Sequence, residues 1–273
     1  MNEANPRVIG QFDIETAVSR QDDVLWRGHV SSAWNIGTNP NGGYLLSLVT
    51  SALADALPHP DPISITTHYL RPGIADAPCD IRVEIVRTGR TLSTARATLL
   101  QDGNERLVAL AAYGNLEQPA GIDREISPPA PSVPGPELCQ ARSGGAQGVG
   151  LAIAERVDAR LLPDFIEPGH AGRAEVAGWI RLSDGREPDA RALHLFSDAF
   201  PPSPFGLLGP VGWVPTVELT VHVRRRPVPG WVQARFVTDD LQMGRMIESG
   251  WLWDSAGNLV AQSRQIGLVM DQG

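Results

Sequence analysis

"WNIGTNPNGGYLLSLVTSALADAL", Trp34 to Leu57, holds the longest apolar run of the chain, and its reading decides the fold. Pro40-Asn41 followed by Gly42 and Gly43 is turn chemistry feeding a capped helix. From Gly43 to Leu57 apolar residues fill most positions, interrupted by Ser47, Thr50, Ser51 and Asp55, and the run is too short to span a bilayer. A helix this apolar must be buried by whatever surrounds it.

What surrounds it alternates. "CDIRVEIVRT" (Cys79 to Thr88), "TLSTARATLL" (Thr91 to Leu100), "WVPTVELTVHVRR" (Trp213 to Arg225), "WVQARFVT" (Trp231 to Thr238) and "NLVAQSRQIGLV" (Asn258 to Val269) switch between apolar and polar. That is the period of half-buried antiparallel strands. The other helical signal runs from Glu187 to about Phe200.

The chain also repeats itself. His68 and His222, Gly103 and Gly257, and Asn104 and Asn258 each stand 154 apart; Pro72/Pro227 and Arg90/Arg245 stand 155 apart, and Gly114/Gly267 153. Six pairs in one register exceed chance and fall at matching places, so each half reads as strand, helix and four-stranded meander. Between them "EQPAGIDREISPPAPSVPGPELCQARSGGAQG", Glu117 to Gly148, is Pro- and Gly-rich without periodicity and reads as a linker. The expected units are residues 20–118, a linker 119–148, and residues 149–271, each an antiparallel sheet curled around its helix.

"NGGYLLSLV", "THYLRPG" and "GRTLSTARATLLQDG" in the first half, with "SDAFPPSPFGLLG", "TVELTVHVRRRP" and "NLVAQSRQIGL" in the second, resemble the acyl-CoA thioesterase II family. The resemblance covers roughly residues 20 to 270. It implies an α+β chain with a double hotdog fold, two helix-wrapped antiparallel sheets in tandem. It also implies a homodimer or tetramer, and hydrolysis of an acyl-CoA to free acid and coenzyme A, with no cofactor beyond the coenzyme A of the substrate.

The two halves differ where chemistry would reside. The second offers Asp198 on "LHLFSDAF", Thr216 at a strand start and Gln265 in the last strand; the repeat offsets put a glycine or Tyr44, about Pro62, and Ala112 at the matching places. The family's Asp, Thr and Gln, which orient and activate a hydrolytic water, fall by motif on Asp198, Thr216 in "TVE" and Gln265 in "QIG". Ile266 stands where an acidic residue is common, and Asn41 where His often precedes the glycines. A carboxylate that takes a proton, with a hydroxyl and a carboxamide that orient the water, replaces a protein nucleophile. No G-x-S-x-G elbow is present.

Each choice has a plainer reading: Asp198 as a cap or turn residue, Thr216 and Gln265 as ordinary strand residues, His68 and His222 as shared strand positions. Glu218, two residues beyond Thr216, is the reserve base. Asn41, Gly42 and Gly43 are expected at the substrate, the glycine N–H groups receiving the thioester oxygen at the helix start. Arg224, first of three consecutive arginines, is a candidate for coenzyme A phosphates, against a role in protecting a strand end. "GTNPNGG" offers Asn39-Pro40 to a double-hotdog enoyl-CoA hydratase but lacks that pattern's Asp and His. A non-catalytic acyl-CoA binding protein is the third reading.

Other classes are disfavoured. A net charge of −8 argues against nucleic acid as a partner. Cys79 and Cys139 lack metal or disulfide spacing, and no metal-ligand cluster is visible. "MNEANPRVIGQFD" lacks a signal peptide's basic and apolar regions, and no stretch suits a membrane, so a cytoplasmic protein is expected.

Overall fold

The computed structural model describes residues 9–122, 124–144 and 148–270. The amino-terminal reading at residues 1–8, parts of the expected linker (123 and 145–147) and the expected end at Asp271 lie outside them. In chain order come α1 (Gln11–Glu15), β1 (Ser19–Arg20), β2 (Leu25–Val30), β3 (Asn35–Ile36), β4 (Asn39–Pro40), α2 (Gly42–Ala56), β5 (Asp61–Tyr69), β6 (Ala77–Thr88), β7 (Ser93–Gln101) and β8 (Asn104–Gly114). Then follow β9 (Gln140–Ala141), β10 (Val157–Leu161), β11 (Glu175–Leu182), α3 (Ala192–Phe196), α4 (Phe205–Leu208), β12 (Thr216–Val223), β13 (Val232–Gln242), β14 (Arg245–Trp253) and β15 (Leu259–Leu268).

One antiparallel sheet runs through both halves in the order β1-β2-β6-β7-β8-β5-β12-β15-β14-β13-β11-β10-β9. The halves join where β5 pairs with β12, and Thr66 lies directly opposite Thr220, their hydroxyls 3.0 Å apart. Those residues are 154 apart, the offset of the sequence repeat, so an approximate two-fold axis passes between them. His68 and His222 sit symmetrically about it, exposed on the outer face.

α2 behaves as its composition requires. Gly43 through Leu53 are buried, and the helix touches β2, β5, β6 and β7. Its polar residues satisfy themselves locally: Ser47 Oγ donates to Gly43 O and Thr50 Oγ1 to Ser47 O, both at 2.8 Å. Asp55 accepts from the indole of Trp26 at 2.8 Å. Asn41 caps the helix, its Oδ1 accepting from Tyr44 N at 2.9 Å.

The helix expected over Glu187–Phe200 is shorter, and the reason is local. Pro188 keeps Glu187 out of helical geometry, and Asp189 Oδ1 accepts from Ala192 N at 2.9 Å, starting the helix five residues late. Pro201 and Pro202 bar any extension, leaving Asp198 in the turn after α3. The helices approach so closely that a Cβ on Gly43 would lie 2.9 Å from His194 O and 3.0 Å from Leu195 Cα.

The segment read as a linker is not idle. Pro128, Pro131 and Pro134 carbonyls accept from Trp253 Nε1, Gln233 Nε2 and Trp179 Nε1 at 3.0, 3.0 and 2.8 Å, docking the segment on β11, β13 and β14. Proline lacks an N–H but keeps its carbonyl, so an extended proline-rich strap suits such side-chain donors. α1, ahead of the expected boundary at residue 20, belongs to the packed body: Asp13 pairs with Arg186 at 2.6 Å and Glu15 with Arg156 at 2.7 Å, both in the other half.

Because the α2–α3 contact excludes a side chain at Gly43, Gly43→Ala is expected to lower the folding free energy by about 1–3 kcal/mol. Denaturant unfolding of the two proteins checks this; equal midpoints would show that the helices separate without cost.

Candidate active site

A cavity of about 540 Å³ opens where the halves meet. The start of α2 contributes Asn41, Gly42 and Leu45, the end of β5 contributes Tyr69, and the turn after α3 contributes Asp198 and Phe200. Thr216 comes from β12, Phe236 from β13, Glu248 from β14 and Gln265 from β15.

Asp198 is held by the opposite half. Its Oδ2 accepts from Gly43 N at 2.8 Å and from Asn41 Nδ2 at 2.9 Å, and the same amide donates to Asp198 O at 2.8 Å. The carboxylate thus sits at the positive end of α2. Burial pushes its pKa up to about 6, against the pull of the Gly43 N–H, the Asn41 amide, Arg142 and, more weakly, the Gly42 N–H. A carboxylate poised there is ionised at neutral pH yet basic enough to take a proton.

Gln265 donates through Nε2 to Thr216 Oγ1 at 2.9 Å. Asp198, Thr216 and Gln265, three positions widely separated in sequence, therefore line one cavity, together with Asn41 and Gly42. Asn41 both caps α2 and grips Asp198.

Three expectations change. Gly43 N–H is engaged by Asp198, so it is not a vacant donor for a thioester oxygen. Arg224 follows the last residue of β12, roughly 26 Å along the strand from Thr216, and is absent from the cavity wall. Glu218 is not at the cavity either, because a bulge between Thr216 and Glu218 breaks the alternation that would have kept them on one face. Its carboxylate instead accepts from Thr220 Oγ1 at 2.6 Å.

Two charged residues escaped the sequence reading. Arg142, in the presumed linker, is buried in the cavity wall, donates to Ala199 O, and has its pKa lowered to about 10 by burial. Glu248 lies across from Gln265 on β14, and its Oε2 accepts from Ser203 N at 2.9 Å. Burial pushes its pKa up to about 7. Only the break of alternation in "MIES", which puts a charge among inward positions, marks Glu248 in the sequence.

A long antiparallel sheet packed on a helix is the arrangement of a hotdog fold, and the buried carboxylates beside its apolar cavity suit acid-base chemistry. Structures of that fold are similar over nearly the whole chain. A candidate thioesterase II from Thermobifida fusca YX superposes with a TM-score of 0.83 at 29% identity, covering 97% of this chain and 99% of that one. A hot dog fold protein of unknown function from Alicyclobacillus acidocaldarius gives 0.83 at 22%, covering 97% and 100%. An uncharacterized Mycobacterium tuberculosis protein is 26% identical over 91% of this chain and 92% of its own. Residues 30–114 match the acyl-CoA thioesterase N-terminal domain and residues 128–269 the acyl-CoA thioesterase C-terminal domain. The chain belongs to the acyl-CoA thioesterase family and is a thioester hydrolase. Among the described residues, no helix is long and apolar enough to cross a membrane, and no His, Cys, Asp and Glu group of three or more is placed to hold a metal.

Glu248 supplies a stability test. Its pKa is raised in the folded state, so ionising it opposes folding; the cost is absent below about 4.5 and complete above about 7. Glu248→Gln, which keeps an acceptor for Ser203 N, is expected to gain about 2–3 kcal/mol over wild type at pH 8 and nothing at pH 4.5. Melting curves at both pH values check the sign.

Proposed function

We propose that the protein hydrolyses an acyl-CoA to a free carboxylic acid and coenzyme A, using a water activated directly by Asp198 and oriented by Thr216 and Gln265. The observation that carries this reading is their convergence on one largely apolar cavity, the carboxylate poised at about 6 and Gln265 already bonded to Thr216. The two halves are read as duplicated hotdog units in which one side of the pair kept the polar set.

Asp198 takes a proton from the water as its oxygen bonds to the thioester carbonyl carbon, and the carbonyl π electrons move onto oxygen. When the carbonyl re-forms, the carbon–sulfur bond breaks and the thiolate takes the proton back from Asp198. No acyl-enzyme is needed. Leu45, Phe200, Phe205, Val214, Phe236 and Leu268 offer an apolar wall to the acyl chain. Arg71, exposed at the edge of the same cavity, stands nearer than Arg224 to where coenzyme A phosphates would leave it.

Thiol release from a panel of acyl-CoAs tests the reading. Asp198→Asn is expected to cut kcat by about 10²–10⁴ with the fold intact. In wild type, kcat/KM should rise with pH through about 6 and level off above it, since the base must be ionised; the Asn variant should lose that rise. Unchanged turnover in Asp198→Asn would remove Asp198 as the base. Loss of enoyl absorbance without thiol release would indicate hydration instead.

A further inference from the structure

Five side chains hold a buried polar atom without a hydrogen-bond partner among the described residues: Asn35, Thr67, Tyr69, Arg106 and His194. Of these, Tyr69 alone lines the active-site cavity. It is the last residue of β5, and Ile65 and Thr67 are buried on the inner face that Tyr69 shares by alternation. A buried hydroxyl without a partner costs about 1–3 kcal/mol, so a protein that keeps one in the wall near its base holds a donor that lacks a protein acceptor.

The placement is specific. The point that a Cβ on Gly42 would occupy lies 3.0 Å from Tyr69 Cε1, 3.1 Å from Tyr69 Cζ and 3.1 Å from Asp198 Oδ2. The phenol carbon and the carboxylate oxygen are therefore no farther apart than the sum of the last two distances. Gly42 has no side chain there, and a larger residue would fill the space between them.

We propose that the Tyr69 hydroxyl donates a hydrogen bond to the thioester carbonyl oxygen and stabilises the oxyanion formed when water attacks. The inference rests on the thioester hydrolysis proposed above and adds a catalytic residue to it. The proton stays on the phenol throughout: electrons move from the carbonyl π bond to oxygen and return as the thiolate leaves, while Asp198 carries the water's proton. Burial, and then the negative charge of Asp198, hold the Tyr69 pKa well above the usual phenol range, so the group is a donor at any working pH. Tyr69 also supplies what the helix start does not, since Gly43 N–H is already given to Asp198.

Tyr69→Phe keeps the ring and removes only the donor. The expected result is a 10²–10³-fold fall in kcat with KM within about threefold of wild type, matching the loss of one oxyanion donor. The melting temperature should hold or rise, because an unpartnered hydroxyl has been deleted. A kcat within about threefold of wild type, or a raised KM with unchanged kcat, overturns the proposal. If the variant melts lower, the ratio of its affinities for a non-hydrolysable ketone analogue of acyl-CoA and for a thioether analogue without a carbonyl decides, since that ratio is insensitive to the folded fraction. A ratio reduced from wild type supports the hydrogen bond; an unchanged ratio refutes it. Asp198→Asn in parallel separates the readings: a silent Tyr69→Phe beside an inactive Asp198→Asn sinks Tyr69 alone.

Discussion

A carboxylate of one half gripped by the helix start of the other is the contact on which the site depends. Asp198 follows a helix of only five residues, which cannot hold it rigidly, and α2 completes the job through Gly43 N–H and the Asn41 amide. Gly43 is glycine because two backbones meet there: its Cβ would strike His194 O, and its N–H reaches Asp198 only at that distance. The same closeness strips water from the carboxylate. Desolvation then outweighs the donors and lifts the pKa to about 6, turning a structural contact into a usable base.

On the proposed duplication, the two halves differ at the places where the polar set stands. The repeat offsets put a glycine or Tyr44 at the place matching Asp198, and neither offers a base: the Tyr44 ring stacks on Trp34 at 5.0 Å in the core, and its hydroxyl donates to Glu15 O at 2.9 Å. The strand register matches Thr216 to Pro62 and Gln265 to Ala111, one residue before the Ala112 of the sequence offset, and neither carries a side-chain donor. Thr66 and Thr220, on the axis itself, stayed alike because each is the other's partner.

What could be read from the chain followed from periodicity and from the repeat. The alternating strands, α2 and the repeat left period-two runs, a capped apolar run and an offset of 154, and the Asp, Thr and Gln stood out because the first half lacks them. What escaped depended on contacts distant in sequence. Arg142 sits in a proline-rich stretch with no period, and only the strap's docking by Trp179, Gln233 and Trp253 carries it to the cavity. The bulge that removes Glu218 needs one extra residue, which alternation alone does not reveal. Arg224 followed the logic of charge without the length of its strand. Gly43 was rightly seen as a backbone donor, but its acceptor is a protein carboxylate.

The second carboxylate shows how the cavity stays apolar while holding a base. Asp198 is stabilised as an anion by two backbone N–H groups, an amide and the Arg142 guanidinium, whereas Glu248 has Ser203 alone and feels the charge of Asp198. Two anions in one cavity repel, and the one with fewer donors keeps its proton to higher pH. Asp198 is therefore the first to ionise. Burial first, and the charge of Asp198 in addition, hold the proton on Glu248 up to about pH 7, so below that pH the wall beside Gln265 presents a neutral carboxyl rather than a second charge. In that range a hydrocarbon chain meets a single anion, and that anion stands where α2 begins.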